Sequence, residues 1–140
     1  MSYSNRLAVL MTATAMVFAA SSAALAQDNT VGADAFNASC AVCHGADGKG
    51  DGEFGDVLTV KPINLTRLSA NNDGVFPYLK VFHAIDGRTT IRSHGPAIMP
   101  IWGDAFASEI GESAGPFGSE LLIRAKIVAL VDYIETLQVE

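Results

Sequence analysis

The sequence predicts a helical fold in a single domain, and three segments carry that expectation. Residues 120–138 place Ile123, Ile127, Leu130, Val131 and Ile134 on one stripe at helical spacing. Residues 76–86 repeat the pattern with Leu79, Phe82 and Ile85, and Gly87 follows as a terminator. A short helix over 33–39, with Gly32 and Phe36 four apart on one face, runs into the only two cysteines of the chain. At 140 residues there is room for one domain rather than two.

In chain order, residues 1–26 read as a secretory signal peptide. Arg6 stands near the start, an apolar run follows from Leu7 to Ala20, and Ala24-x-Ala26 supplies small residues for cleavage, leaving Gln27 as the mature N-terminus. The run approaches membrane-spanning length, so an uncleaved anchor competes. The cleavage site favours removal, which leaves a periplasmic domain, 27–140, with no stable membrane insertion. No cysteine at position 27 marks a lipoprotein.

The chain holds 15 acidic against 9 basic residues, a formal charge of −6, and the leader would take away an arginine but no acid. An acidic domain is a poor partner for nucleic acid and a good one for a protein with a basic docking face. Without its Leu/Ala-rich leader the domain is also small, with a modest core of its own.

Cys40-Ala41-Val42-Cys43-His44 is the most informative segment. A disulfide between Cys40 and Cys43 would close too short a loop to stabilise the fold much. Structural zinc needs four protein ligands, and there are no further cysteines. A redox dithiol would open a helix after a strand, yet residues 32–39 carry no β-branched apolar run. Covalent haem attachment is the remaining reading of C-x-x-C-H. Two thiols one helical turn apart can join the two vinyl groups of a porphyrin edge, while the next residue turns its imidazole toward iron. The macrocycle would then supplement the small core.

Three of the four methionines, Met1, Met11 and Met16, lie in the leader, so Met99 is the only thioether of residues 27–140. Pro96 and Pro100 favour an extended path around it, suited to laying a side chain over a haem face. Most methionines are ordinary core residues. With a haem present, and with 55 residues between His44 and Met99 to travel around the ring, axial ligation is the better reading. His94 is the fallback ligand and His83 a weaker one. For both, a surface or neighbouring role is favoured.

Asp104–Ile110 suggests one more short helix, and Ser119 an N-cap for the last one. The segment 47–55 contains Gly50-x-Gly52-x-x-Gly55 but follows no strand, so it is not a dinucleotide fingerprint. Lys49 and Leu58 occupy positions where a calcium loop needs oxygen ligands. A flexible acidic loop is expected there.

Gly32 and Phe36, the run from Cys40 to Gly45, Met99-Pro100-x-Trp102-Gly103, and Tyr133-Ile134-x-x-Leu137 together resemble the class I c-type cytochromes, over most of residues 27–140. The resemblance implies an all-α, small cytochrome c fold with helices wrapped around one covalently bound haem, His44 below the iron and Met99 above it. It implies that the first and last helices cross, with Gly32 letting Tyr133 or its neighbours approach. Alanine at 32 is then expected to be mildly harmful and a bulky residue much worse. Pro62 resembles the family's proline whose carbonyl accepts from the ligating imidazole. Leu65 is expected to pack on the haem. Trp102, Tyr78 and Arg88 are candidates for its propionates, beside plain packing and helix-end roles.

The expected function is that of a periplasmic one-electron carrier, not an enzyme, with Cys40, Cys43, His44 and Met99 as cofactor-binding residues and redox proteins as partners. Three readings compete: a haem subunit of an oxidoreductase complex, a gas-binding or peroxidase-like haem protein if Met99 leaves the iron open, and a haem-free dithiol oxidoreductase.

Overall fold

A computed structural model describes residues 22–88, 99–112 and 114–139, with the backbone alone described over 22–29. The leader's apolar run and the Gly95-Pro96 loop with His94 lie outside those residues. Among the described residues five helices follow in order: α1 (Ser22–Ser39), α2 (Ala41–His44), α3 (Tyr78–Asp86), α4 (Trp102–Ile110) and α5 (Gly115–Thr136). Three short 3-10 turns, at 53–56, 65–67 and 70–72, punctuate the long connection between α2 and α3. Among the described residues there is no strand, and the all-α class holds. Nor is any described helix long and apolar enough to cross a membrane.

The boundaries depart from expectation for local reasons. α1 begins well before Ala33, because apolar spacing marks only the part of a helix that is buried, here Phe36 and its neighbours. α3 begins at Tyr78 rather than Phe76, since a residue preceding proline disfavours helical backbone. It ends at Gly87, whose φ of 65° is the left-handed value expected of that terminator. α4 starts two residues early, at Trp102, with Asp104 in its first turn. α5 starts at Gly115, with Pro116 in the first turn. Ser119 therefore lies inside the helix instead of capping it, and its hydroxyl donates to the Gly111 carbonyl at 2.7 Å.

The apolar stripe of α5 is the spine of the molecule. Ile123, Ile127, Leu130, Val131 and Ile134 are all buried, against Phe36 of α1, Val81 and Ile85 of α3, and Phe106 of α4. Each such side chain contributes roughly 1.5–3 kcal/mol by leaving water. α1 and α5 cross as the resemblance implies, and the Phe36 and Tyr133 rings meet at 5.3 Å between centroids. A Cβ on Gly32 would collide with the Ala129 carbonyl oxygen and lie 2.7 Å from the Tyr133 Cβ. Backbone cannot swing aside as a side-chain tip can. Alanine at 32 is thus a substantial lesion, not the mild one expected, because the first added carbon already meets the facing helix.

Candidate functional site

The single turn of α2 gathers three of the four expected site residues. Backbone amides of Cys43 and His44 both donate to the Cys40 carbonyl, at 3.1 and 2.9 Å, which winds Cys40, Cys43 and His44 into one helical step. The two thiols are unpaired, Cys40 buried and Cys43 half-buried. Burial, and secondarily the neighbouring Cys43, pushes the Cys40 thiol up to about 12. A redox dithiol needs the opposite, a thiol whose pKa is lowered toward neutrality. The strand that a thioredoxin-type dithiol follows is also missing among the described residues, where α2 is preceded by helix.

The glycine-rich segment after His44 is an ordered brace rather than the flexible loop expected. Gly45, at φ 78°, turns the chain back on itself. Gly50 N–H then donates to the His44 carbonyl at 2.7 Å and Gly52 N–H to the Cys43 carbonyl at 3.2 Å. Gly48 accepts from the Leu65 amide at 2.7 Å, tying the brace to the next segment. Gly52 lies so close to α2 that a Cβ there would sit 2.5–2.7 Å from the Val42 oxygen, the Cys43 carbonyl carbon and the Ala41 oxygen. These glycines serve backbone-to-backbone packing, which explains a Gly-x-Gly-x-x-Gly pattern that holds no nucleotide.

The brace delivers a partner to the histidine. His44 Nδ1–H donates to the Ile63 carbonyl at 3.2 Å. The partner is therefore Ile63 and not Pro62, whose carbonyl faces Gly50 instead. Asn64 caps the turn at 65–67, its Oδ1 accepting from the Thr66 amide at 2.9 Å and hydroxyl at 2.8 Å. The Leu65 and Thr66 carbonyls are taken by Gln138 and Val139, and that of Ile63 is the one that meets His44. An Asn two residues before a Thr is the local signal for such a capped turn. Burial lowers the His44 pKa below its usual 6.5, partly opposed by the bond to Ile63. The ring is thus held neutral with Nδ1 engaged, the state in which Nε2 can serve a metal.

Gln138, which the sequence reading did not single out, locks this side from the far end of the chain. Its amide accepts from the Ser69 N–H at 2.9 Å and donates to the carbonyls of Leu65 and Ile134, each at 2.8 Å. Val139 N–H adds a bond to the Thr66 carbonyl at 2.9 Å. Leu65, expected against the cofactor, is part of the buried core.

Met99 arrives from another part of the chain, three residues before α4, half-buried against the core. The three propionate candidates have other partners in this structure. Tyr78 donates to Asp132 at 2.6 Å, bridging α3 and α5. Trp102 stacks at 5.6 Å on Phe106. Arg88 is engaged by Asp86 and Glu120. His83 is half-buried, edge-on to Phe82, and its Nδ1 is buried without a hydrogen-bond partner.

Two unpaired thiols one turn apart, followed by a neutral imidazole with one nitrogen tethered, form a donor set that suits haem c. The cytochrome c family model matches residues 30–138, from within α1 to Gln138. No curated protein and no solved structure matches the chain. A match of that extent, over a helical fold with this turn at its centre, makes the chain a member of the cytochrome c family, whose chemistry is haem-based electron transfer.

Proposed function

We propose that this protein is an exported, periplasmic one-electron carrier with one haem c. Cys40 and Cys43 would hold the group through their sulfurs, and His44 and Met99 would ligate its iron. The observation that carries this reading is the α2 turn, with His44 Nδ1 tied to Ile63 and both thiols free for attachment.

Bound haem supplies a reversible Fe(III)/Fe(II) couple. His44 offers Nε2 while Ile63 fixes the plane and basicity of its ring. The thioether of Met99, the only one in residues 27–140, favours Fe(II) and raises the potential. The Gly45–Gly52 brace keeps the histidine in place through both oxidation states, which keeps reorganisation small. No residue is required to bind or transform a substrate. The acidic balance of the chain suits a partner with a basic docking face, and that encounter slows as salt rises.

The test is expression with an intact leader and with haem-attachment machinery. Denaturing electrophoresis should leave haem on the band, and mass spectrometry should place the N-terminus near Gln27. An optical redox titration should give one one-electron wave. A reduced form that resists carbon monoxide supports Met99 as ligand, whereas ready binding favours the gas-binding or peroxidase-like reading. Stable co-purification with one oxidoreductase favours the subunit reading. Colourless protein with both thiols open to alkylation removes the carrier altogether.

A further inference from the structure

A charged cluster lies where α3, α4 and α5 meet, outside the residues assigned above. Asp86, at the end of α3, is buried at 3% exposure. Its carboxylate accepts from Arg88 Nε at 2.6 Å. The same guanidinium reaches across to Glu120 of α5, at 2.7 and 3.3 Å. Glu120 also accepts from Arg124 at 2.7 Å, one turn further along its own helix. A buried carboxylate is costly unless paired, so Asp86 commits Arg88 to this position. The fork of Arg88 then joins two helices, which a single-point cation does less well.

The first turn of α4 rests directly on this cluster. A Cβ on Gly103 would strike the Asp86 carboxylate oxygen and Arg88 Nε, and would lie 2.6 Å from the Asp86 carbonyl oxygen. One step earlier, Ile101 packs on Gly87, with its Cα 3.3 Å from where a Gly87 Cβ would stand. Met99 is two residues before Ile101. Two residues of the chain leaving Met99, Ile101 and Gly103, are therefore seated on the C-terminal end of α3 and on Arg88.

We propose that Arg88, clamped between Asp86 and Glu120, is the positioning residue that holds Met99 in place as an axial ligand. The proposal rests on the reading of Met99 as ligand. Arg88 does not touch the methionine; it fixes the floor on which the Ile101–Gly103 segment lies. Loosening that floor frees the thioether to leave without unfolding the core, since Ile127, Leu130 and Val131 pack elsewhere along α5.

The test compares Arg88→Gln, Arg88→Lys and Met99→Ala with Glu109→Gln in the haem-loaded protein. Glu109→Gln breaks a different α4–α5 ion pair, the one to Lys126 at 2.6 Å, and serves as the control for general loosening. At temperatures of equal distance from each variant's unfolding midpoint, Arg88→Gln should bind carbon monoxide about tenfold more readily than the control, and its potential should fall toward that of Met99→Ala. Arg88→Lys should recover part of both. Hydrogen exchange at the Ile101, Trp102 and Gly103 amides should quicken by a similar factor. If Met99→Ala opens the iron while Arg88→Gln behaves like Glu109→Gln, the clamp is overturned and the ligand stands. If Met99→Ala changes neither potential nor carbon monoxide binding, the ligand assignment and the clamp fall together. Should Arg88→Gln not fold, Glu120→Gln, which weakens the bridge to α5 and the surface pair with Arg124 but leaves Asp86 on Arg88, decides by the same comparison.

Discussion

The two sides of the proposed haem site are built from different materials. The His44 side is largely backbone against backbone: α2 and the Gly45–Gly52 brace are joined by main-chain hydrogen bonds of 2.7–3.2 Å, with glycines admitting the close approach, and the imidazole adds its bond to the Ile63 carbonyl. The Met99 side hangs on side chains, through the Asp86–Arg88–Glu120 ion pairs and the packing of Ile101 and Trp102. Main-chain bonds withdrawn from water are indifferent to salt and nearly so to pH, whereas half-exposed ion pairs are sensitive to both. Of the two proposed ligands, His44 is built to stay and Met99 is held by contacts that can be weakened selectively.

The most damaging way to probe this contrast is Gly52→Val. Three main-chain atoms stand within 2.7 Å of the first added carbon, so α2 must move or the brace must break. A loss of about 4 kcal/mol or more is expected, with little haem-loaded protein recovered. Thermal unfolding and haem yield measure it, and a tolerated valine would show that the His44 side is softer than its hydrogen bonds indicate.

Met99→Ala should cost less stability, about 2 kcal/mol for a half-buried side chain, while lowering the potential and admitting carbon monoxide. Redox titration reads the potential and denaturant unfolding the stability. A large stability loss with an unchanged potential would make Met99 a packing residue only.

Gln138→Ala removes three hydrogen bonds that tie Ser69, Leu65 and Ile134 together, and about 1.5 kcal/mol of unfolding free energy should go with them. The effect belongs to the His44 side. It should leave carbon monoxide binding at the Met99 face unaltered.

Acid should separate the two sides most gently. In the haem-free protein burial holds the His44 pKa below its usual 6.5, so below that pH the unfolded chain takes up a proton the folded one refuses. Stability therefore falls as pH drops from about 6.5 to the lowered value, at up to about 1.4 kcal/mol per pH unit. Hydrogen bonding from Arg88 lowers the Glu120 pKa from 4.5, so its contribution persists above 4.5 and is lost as pH falls through the lowered value. Unfolding followed between pH 8 and pH 3 should show the His44 window first. A single transition confined below pH 4.5 would contradict the assignment of a neutral, buried His44.

Much of this was legible in the sequence wherever a short-range rule governs the residue. The α5 stripe, the stop at Gly87 and the Cys40–His44 turn depend on neighbours within a turn or two. Gly32 was legible through its crossing with Tyr133, though not the extent of the collision. What was misread depended on partners far along the chain. Pro62 came from the family resemblance while the carbonyl that meets His44 is that of Ile63, 19 residues along the chain, and nothing near Arg88 in sequence announces Glu120, 32 residues away. The glycines of 45–52 seemed loose for the same reason, since their contacts are with α2 and with residues 62–65.

By itself the sequence determined the helical class and the gathering of Cys40, Cys43 and His44 in one turn, and it left Met99 as the one thioether of residues 27–140 for the ligation proposed here, because these follow from residue type and periodicity. Only the tertiary structure decided which carbonyl holds His44, that the glycine run is a brace, and that Arg88 bridges α3 and α5. Each of those is a hydrogen bond or ion pair between segments distant in the chain. Its strength depends on distance and burial, which residue order alone does not specify.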